Sequence, residues 1–305
     1  MSTYTSKLYI IVLFSILLIL VAKPGVCIAG TRAGLLLWFN SVLPTLFPFF
    51  LITRIILHLN LCPKMFLKLY PFATGLIAGY PTGAITVCDQ LLSGILTYKE
   101  GMLLLIMSNN ASPGFLIAYT GSLLCLCNPY KIWFTVIISS IIAGMIYYIS
   151  ILLSKEEHKN IQVSNKATSD NSISNNHYLK HDFILFFEKT MTDCINLLVV
   201  IGCYIMIFSM LSYFITDLFE DNLLSLCFAG SFEITNGVSL LSKYTFESKK
   251  IQSALVAALC SFGGFSAYFQ TAGILKKCGL SGKTYLFFKS ISGLICFTLN
   301  MLFIT

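Results

Sequence analysis

Charged residues are scarce in this sequence: Lys, Arg, Asp and Glu together make up 11% of 305 residues, less than half of the roughly 25% usual in soluble domains. A soluble fold with 56% hydrophobic residues and a mean hydropathy of +0.82 would present large apolar patches to water. Histidine is scarce too, and His58, His158, His177 and His181 stand alone or in polar stretches. No H-E-x-x-H, G-x-S-x-G or phosphate-binding glycine loop occurs, so hydrolase and nucleotide chemistry has no footing. The chain reads as a non-enzyme without a cofactor or a metal site. Cysteine is plentiful, but there is no C-x-x-C, and the closest spacing is Cys125-Leu126-Cys127. Most cysteines, among them Cys88, Cys194, Cys203, Cys227, Cys260 and Cys296, lie inside apolar runs and read as small buried hydrophobes. The net charge of +7 implies no nucleic-acid partner, because the basic excess falls in loops that face anionic lipid.

Long apolar runs recur from end to end: about 8 to 22, 33 to 53, 71 to 93, 102 to 126, 132 to 153, 193 to 215, 223 to 242, 251 to 275 and 284 to 304. Each approaches the length that crosses a hydrocarbon core of ~30 Å at 1.5 Å per residue. Lipid gives backbone groups no hydrogen-bond partner, and the runs are too long for barrel strands, so helices are expected. The fold class is all-α, polytopic and integral to a membrane, with the lipid bilayer as its first partner. Lys7, the run Leu8 to Ala22 and then Cys27-Ile28-Ala29-Gly30 resemble a signal peptide; an uncleaved N-terminal helix over 1–30 is expected instead.

From Ser154 the apolar pattern stops, and a Ser/Asn-rich tract with almost no large apolar residue follows to about Asp182. Such a tract cannot pack, which predicts a polar linker over 154–190 between membrane repeats at 31–153 and 191–305. The two halves resemble each other. Gly79-Tyr80-Pro81-Thr82-Gly83 aligns with Glu233-Ile234-Thr235-Asn236-Gly237, and Ser112-Pro113-Gly114-Phe115 with Phe262-Gly263-Gly264-Phe265.

Charge placement orients the chain. Lys155, Lys159, Lys166, Lys180 and Lys189 put the linker in the cytoplasm. If every run simply crosses, Lys276, Lys277 and Lys283 fall outside. If the run 251 to 275 dips in and returns at Gly263-Gly264, they fall inside, together with Lys243, Lys249 and Lys250. A matching dip in 102 to 126, at Asn109 to Gly114, sorts the first half as well. Lys289 then stands at a helix entrance. The predicted architecture is two inverted-topology repeats with re-entrant hairpins plus an extra N-terminal helix, a transporter arrangement.

Within that frame certain residues carry chemistry. Gly79 and Gly83 permit close helix contact, and Pro81 between them frees a carbonyl that lipid cannot satisfy, which predicts a broken helix lining a site. Glu233 is a carboxylate at membrane depth and must face protein or water. It reads either as a protonatable ion-coupling group or as a structural carboxylate that pairs with Lys or caps a broken helix. Asp89 is its first-half counterpart by type. Asn109, Asn110, Ser112, Asn236, Ser261, Ser266 and Gln270, with bare backbone at Gly263 and Gly264, supply neutral groups for a small anionic or nucleoside-like substrate. The alternative role for these side chains is interhelical hydrogen bonding.

Leu37 to Phe49, Gly79 to Ala84, Ser108 to Pro113, Phe232 to Gly237 and Phe262 to Ser266 form ordered blocks. With that spacing the chain resembles the YlbJ-type sporulation integral membrane proteins of the nucleoside-recognition (Gate-domain) membrane family. It departs from them in its long linker and in Tyr268-Phe269 before Gln270. The resemblance implies an endospore-forming bacterium, residence in the cell membrane or the outer forespore membrane, and secondary transport of a small carboxylate, dipicolinate. A nucleoside or other small-solute transporter, a non-transporting scaffold of spore assembly, and a homo-oligomer all stay open at this point.

Overall fold

The computed structural model describes residues 14, 17–18, 20–58, 64–124, 129–153, 183–219 and 222–303. Its helices are α1 (Pro24–Leu37), α2 (Leu43–His58), α3 (Lys64–Leu67), α4 (Tyr70–Ala78), α5 (Thr82–Leu92), α6 (Tyr98–Ser108), α7 (Thr120–Leu124), α8 (Tyr130–Leu153), α9 (Phe183–Leu218), α10 (Leu223–Phe232), α11 (Ile234–Lys243), α12 (Lys249–Phe262), α13 (Gly264–Lys277) and α14 (Gly282–Phe303). Two π-helical turns, Trp38–Val42 and Gly114–Tyr119, interrupt them. Among the described residues five stretches are long and apolar enough to cross a bilayer: Pro24–Val42, Tyr130–Leu153, Ile184–Leu218, Lys249–Lys277 and Gly282–Phe303. The chain is an all-α, multi-pass integral membrane protein. The linker interval up to 182 and most of the first apolar run lie outside the described residues; α9 begins at Phe183.

The frame is a pair of long antiparallel helices. α1 widens into its π-helical turn just before Pro44, which has no N–H for the carbonyl four residues back and whose ring crowds that turn. Leu43 bonds instead to the Trp38 carbonyl, and the helix continues as α2. α9 runs the other way along both. Gly30 lies against Met210 and Gly34 against Met206, so closely that an added Cβ would stand 2.8 Å from either backbone. Trp38 lays its indole over Gly202 and donates Nε1–H to the Leu198 carbonyl at 2.8 Å. Ion pairs close both ends, Lys23 with Asp217 and Arg54 with Asp193 at 3.7 Å. In lipid, where apolar area gives no drive to associate, such close small-residue contacts are what hold helices together.

Inside this frame are two short helical hairpins. α4 and α5, nine and eleven residues long, fold back on each other through the turn at Gly79–Pro81. Thr74 Oγ1 meets Thr86 Oγ1 at 3.1 Å, and Gln90 Nε2 donates to the Leu67 carbonyl at 2.6 Å, which fixes the antiparallel register. α10 and α11, ten residues each, fold back at Glu233. Their backbones touch at Gly230 and Gly237, where a Cβ on Gly230 would stand 2.7 Å from the opposite Cα. A reciprocal cap between Thr97 and Glu100 then starts α6. Lys68 at 2.9 Å, and next the Thr97 N–H, hold the Glu100 carboxyl below the usual carboxylate range.

The chain therefore turns back at 79–81 and 233, where the sequence reading had single crossings, and the dips expected in 102 to 126 and 251 to 275 are broken helices that run through. α14 lies antiparallel along both halves of the second: Gly282 faces Tyr268, Ser261 bonds to Ser292 at 2.8 Å, and Gly293 lies against Ala258. α8 treats the first in the same way, with Met107 against Gly144 and Asn110 bonded to Ser140. The reason is physical. A left-handed step such as Gly263 bends a helix, but folding it back also needs facing small residues along the arms. The Glu233 turn uses one residue, so its apolar run looks continuous.

Gly34→Leu should separate α1 from α9 at the cost of overpacking, about 1–3 kcal/mol. We expect a lower thermal transition in detergent and less monodisperse protein, with Gly25→Leu, which meets nothing within 4 Å, unchanged.

Candidate functional site

Four places where helix stops lie together in the bundle interior. At the first hairpin turn Gly79 has φ of 79° and ψ of −170°, a conformation open only to glycine, and a Cβ there would stand 2.7 Å from the Ser112 nitrogen. The next residue donates its backbone N–H to the Asn110 carbonyl at 2.7 Å. Turn and break are thereby joined, since Asn109 to Ser112 is the non-helical stretch between α6 and the π-helical turn at Gly114–Tyr119. Tyr80 also reaches across to Gly263, the left-handed residue between α12 and α13, 3.8 Å from where its Cβ would be. Gly264 packs in turn against Ile234 in the second hairpin turn. Tyr119 closes the circle by donating its hydroxyl to the Thr235 carbonyl at 3.2 Å.

The polar side chains follow the same geometry. Glu233 is buried and caps α11: one carboxylate oxygen accepts the Asn236 N–H at 3.0 Å, and the other accepts the Thr235 hydroxyl at 3.3 Å. Asn109 Nδ2 donates to Tyr285 Oη at 2.7 Å and to Thr271 Oγ1 at 3.1 Å. Asn110 Oδ1 accepts from Ser140 Oγ at 2.6 Å and from Lys289 Nζ at 2.7 Å. Ser139, Ser140, Ser261 and Ser292 share hydroxyl contacts of 2.8–3.3 Å, which joins α8, α12 and α14 to the first break. Buried polar atoms without a partner include Asn109 Oδ1, Thr82 Oγ1, Thr120 Oγ1 and Asn236 Nδ2.

The structure brings together Gly79, Pro81, Gly83, Asn109, Asn110 and Ser112 on one side, and Glu233, Asn236, Gly263 and Gly264 on the other. Gln270 and Ser266 bond to each other one turn apart on α13, at 3.0 Å. Asp89 goes elsewhere: it is exposed on α5, in a cleft with Arg54 and Thr82. Sequence reasoning found Ser261 but missed Tyr119, Tyr285, Thr271, Ser139, Ser140 and Ser292, although Ser139-Ser140 in the middle of an apolar span is a signal of interior polarity. It also misplaced Lys289. Far from an exposed helix entrance, Lys289 is 2% exposed, and no ion pair with a carboxylate engages it among the described residues.

Gly79→Ala should force the turn away from the first break. Positive φ and the contact with Ser112 together cost about 1–3 kcal/mol, read as a lowered thermal transition and faster amide exchange at 109–112. Gly273→Ala, on an exposed helical position with nothing within 4 Å, should be neutral or stabilising by up to about 1 kcal/mol.

No family model matches this chain, and neither a curated protein nor a solved structure is found to be similar to it.

Proposed function

We propose that the chain is a secondary transporter of a small organic solute. The observation that carries this reading is the meeting of two hairpin turns and two helix breaks, lined by buried polar side chains, in the interior of a membrane bundle. Irregular backbone at membrane depth persists only where protein or a water-lined path satisfies it, and discontinuous helices around a central site are how secondary transporters hold and release a solute. A scaffold would be served by uninterrupted helices. The sequence resemblance adds the rest: a small carboxylate, dipicolinate, carried across the outer forespore membrane by a sporulation protein. Asn109, Thr271 and Tyr285 equally suit the hydroxyls of a nucleoside, which makes nucleosides the comparison substrate.

The same proposal includes the topology. A long helix, a short hairpin, a broken helix and a closing helix follow one another before the linker and again after it. With the linker inside, arms of nine to eleven residues reach only ~14–17 Å at helical rise, so each hairpin enters and leaves on one face. The first enters from inside and the second from outside, giving inverted-topology repeats. Arg54, Lys64, Lys68, Lys99, Lys276, Lys277 and Lys283 then join the linker lysines inside. Lys23, Arg32, Lys131, Lys243, Lys249 and Lys250 face outside.

Two measurements test this. Single cysteines at Glu247→Cys and Lys283→Cys, on a background without accessible thiols, should be labelled from opposite faces of the membrane; labelling from the same face removes the crossing of α12 and α13 and the repeat with it. In proteoliposomes, Glu233→Gln should keep its helix cap through the amide oxygen and reach a normal protein level, yet lose the dependence of carboxylate flux on a proton gradient. Unchanged gradient dependence would reduce Glu233 to a cap.

A further inference from the structure

We propose that Lys289 is the residue that binds the carboxylate of the substrate, and that Asn110 Oδ1 holds the position a substrate carboxylate oxygen takes. The proposal rests on the transport reading above and specifies its recognition chemistry. Asn110 Oδ1 gathers an ammonium at 2.7 Å and a hydroxyl at 2.6 Å from two different helices, α14 and α8. A lysine and a serine converging on one oxygen is the donor set of a carboxylate oxygen. Ser292, one turn along α14 from Lys289, stands 3.2 Å from the Ser140 hydroxyl and backs it from the other side. An ammonium this deeply buried is costly without an opposite charge, and among the described residues no carboxylate pairs with it. An anionic ligand supplies that charge, whereas a neutral nucleoside does not.

The stand-in can leave. Asn110 lies in the break between α6 and the following π-helical turn, and its side chain is otherwise held by one bond, from Nδ2 to the Met107 carbonyl at 2.9 Å. Rotation of that side chain frees Lys289 and Ser140 together without unwinding a helix. Tyr285 lies four residues from Lys289 and so on the same face of α14, where it holds Asn109. The buried Asn109 Oδ1 has no partner and is an acceptor for a hydroxyl or protonated nitrogen on the same ligand.

The experiment compares purified full-length wild type, Lys289→Met and Asn110→Ala for equilibrium binding of pyridine-2,6-dicarboxylate, benzoate and uridine, with flux of the same compounds in proteoliposomes. Lys289→Met, which fills the volume without the charge, should fold at least as stably and bind both carboxylates about tenfold to a hundredfold more weakly. Its binding of uridine should not change. Asn110→Ala removes the competitor and should tighten carboxylate binding several-fold, an effect that a purely structural lysine does not produce. The proposal is overturned if Lys289→Met binds carboxylates like wild type, or if wild type binds uridine and no carboxylate. Should Lys289→Met fail to fold, weaker or unchanged carboxylate binding by Asn110→Ala overturns it equally. Carboxylate binding that depends on Lys289, without flux in wild type, leaves the site standing and sinks the transport reading instead.

Discussion

Every peptide N–H and C=O that leaves a helix within a bilayer has to find its partner inside the protein, because lipid offers none. The bond from the Tyr80 N–H to the Asn110 carbonyl meets that demand where the first hairpin turn lies against the first helix break. It satisfies a donor from a hairpin turn with an acceptor from a helix break, so neither irregularity is complete without the other. The approach it requires is why residue 79 has no side chain, and it places Tyr80 against the second break at Gly263. Tyr119 and the Thr235 carbonyl repeat the device on the opposite side. A bundle joined in this way cannot move one hairpin alone: displacing either turn strands backbone groups that must be re-paired.

Side-chain polarity is organised around the same point, at a cost. Four serines, two asparagines, a threonine, a tyrosine and a lysine are buried where apolar residues would pack with less penalty. Interhelical hydrogen bonds in membranes return only about 0.6 kcal/mol each on average. Burying an ammonium costs several kcal/mol even after relaxation. Stability alone therefore does not account for Lys289 beside Asn110, whereas the proposed site for a charged solute would.

The class of the fold was legible because it depends on run length and composition, which need no register. The blocks that meet in the interior were legible too, since Gly79-Tyr80-Pro81, Asn109-Asn110, Glu233 and Gly263-Gly264 break apolar runs where breaking is costly. Which break turns the chain was not. That depends on whether residues on both arms are small enough to touch, as Gly230 and Gly237 are, and such pairing is invisible along one strand of sequence. Lys289 was misjudged for a related reason: seven residues into α14 looks shallow, but burial depends on what α8 and the first break bring alongside. Asp89 was matched to Glu233 by residue type alone, and one side of α5 faces away from the centre.

The long helices and the short ones divide the mechanical work. α1, α2 and α9 are joined by glycine contacts, an indole and two terminal ion pairs, which makes them a frame with little freedom to shear. The hairpin arms are too short to span the membrane and are tied through their turns to the helix breaks, so a displacement of either hairpin carries a break with it. Asn110 belongs to the chain before the linker and Lys289 to the chain after it. In the proposed binding mode a solute at Lys289 would contact both halves at once, and its arrival would replace one of the bonds by which those halves meet. Under the proposed binding mode that substitution would communicate occupancy of the centre to the turns, because the residue that yields its side chain also supplies the carbonyl to which Tyr80 is tied.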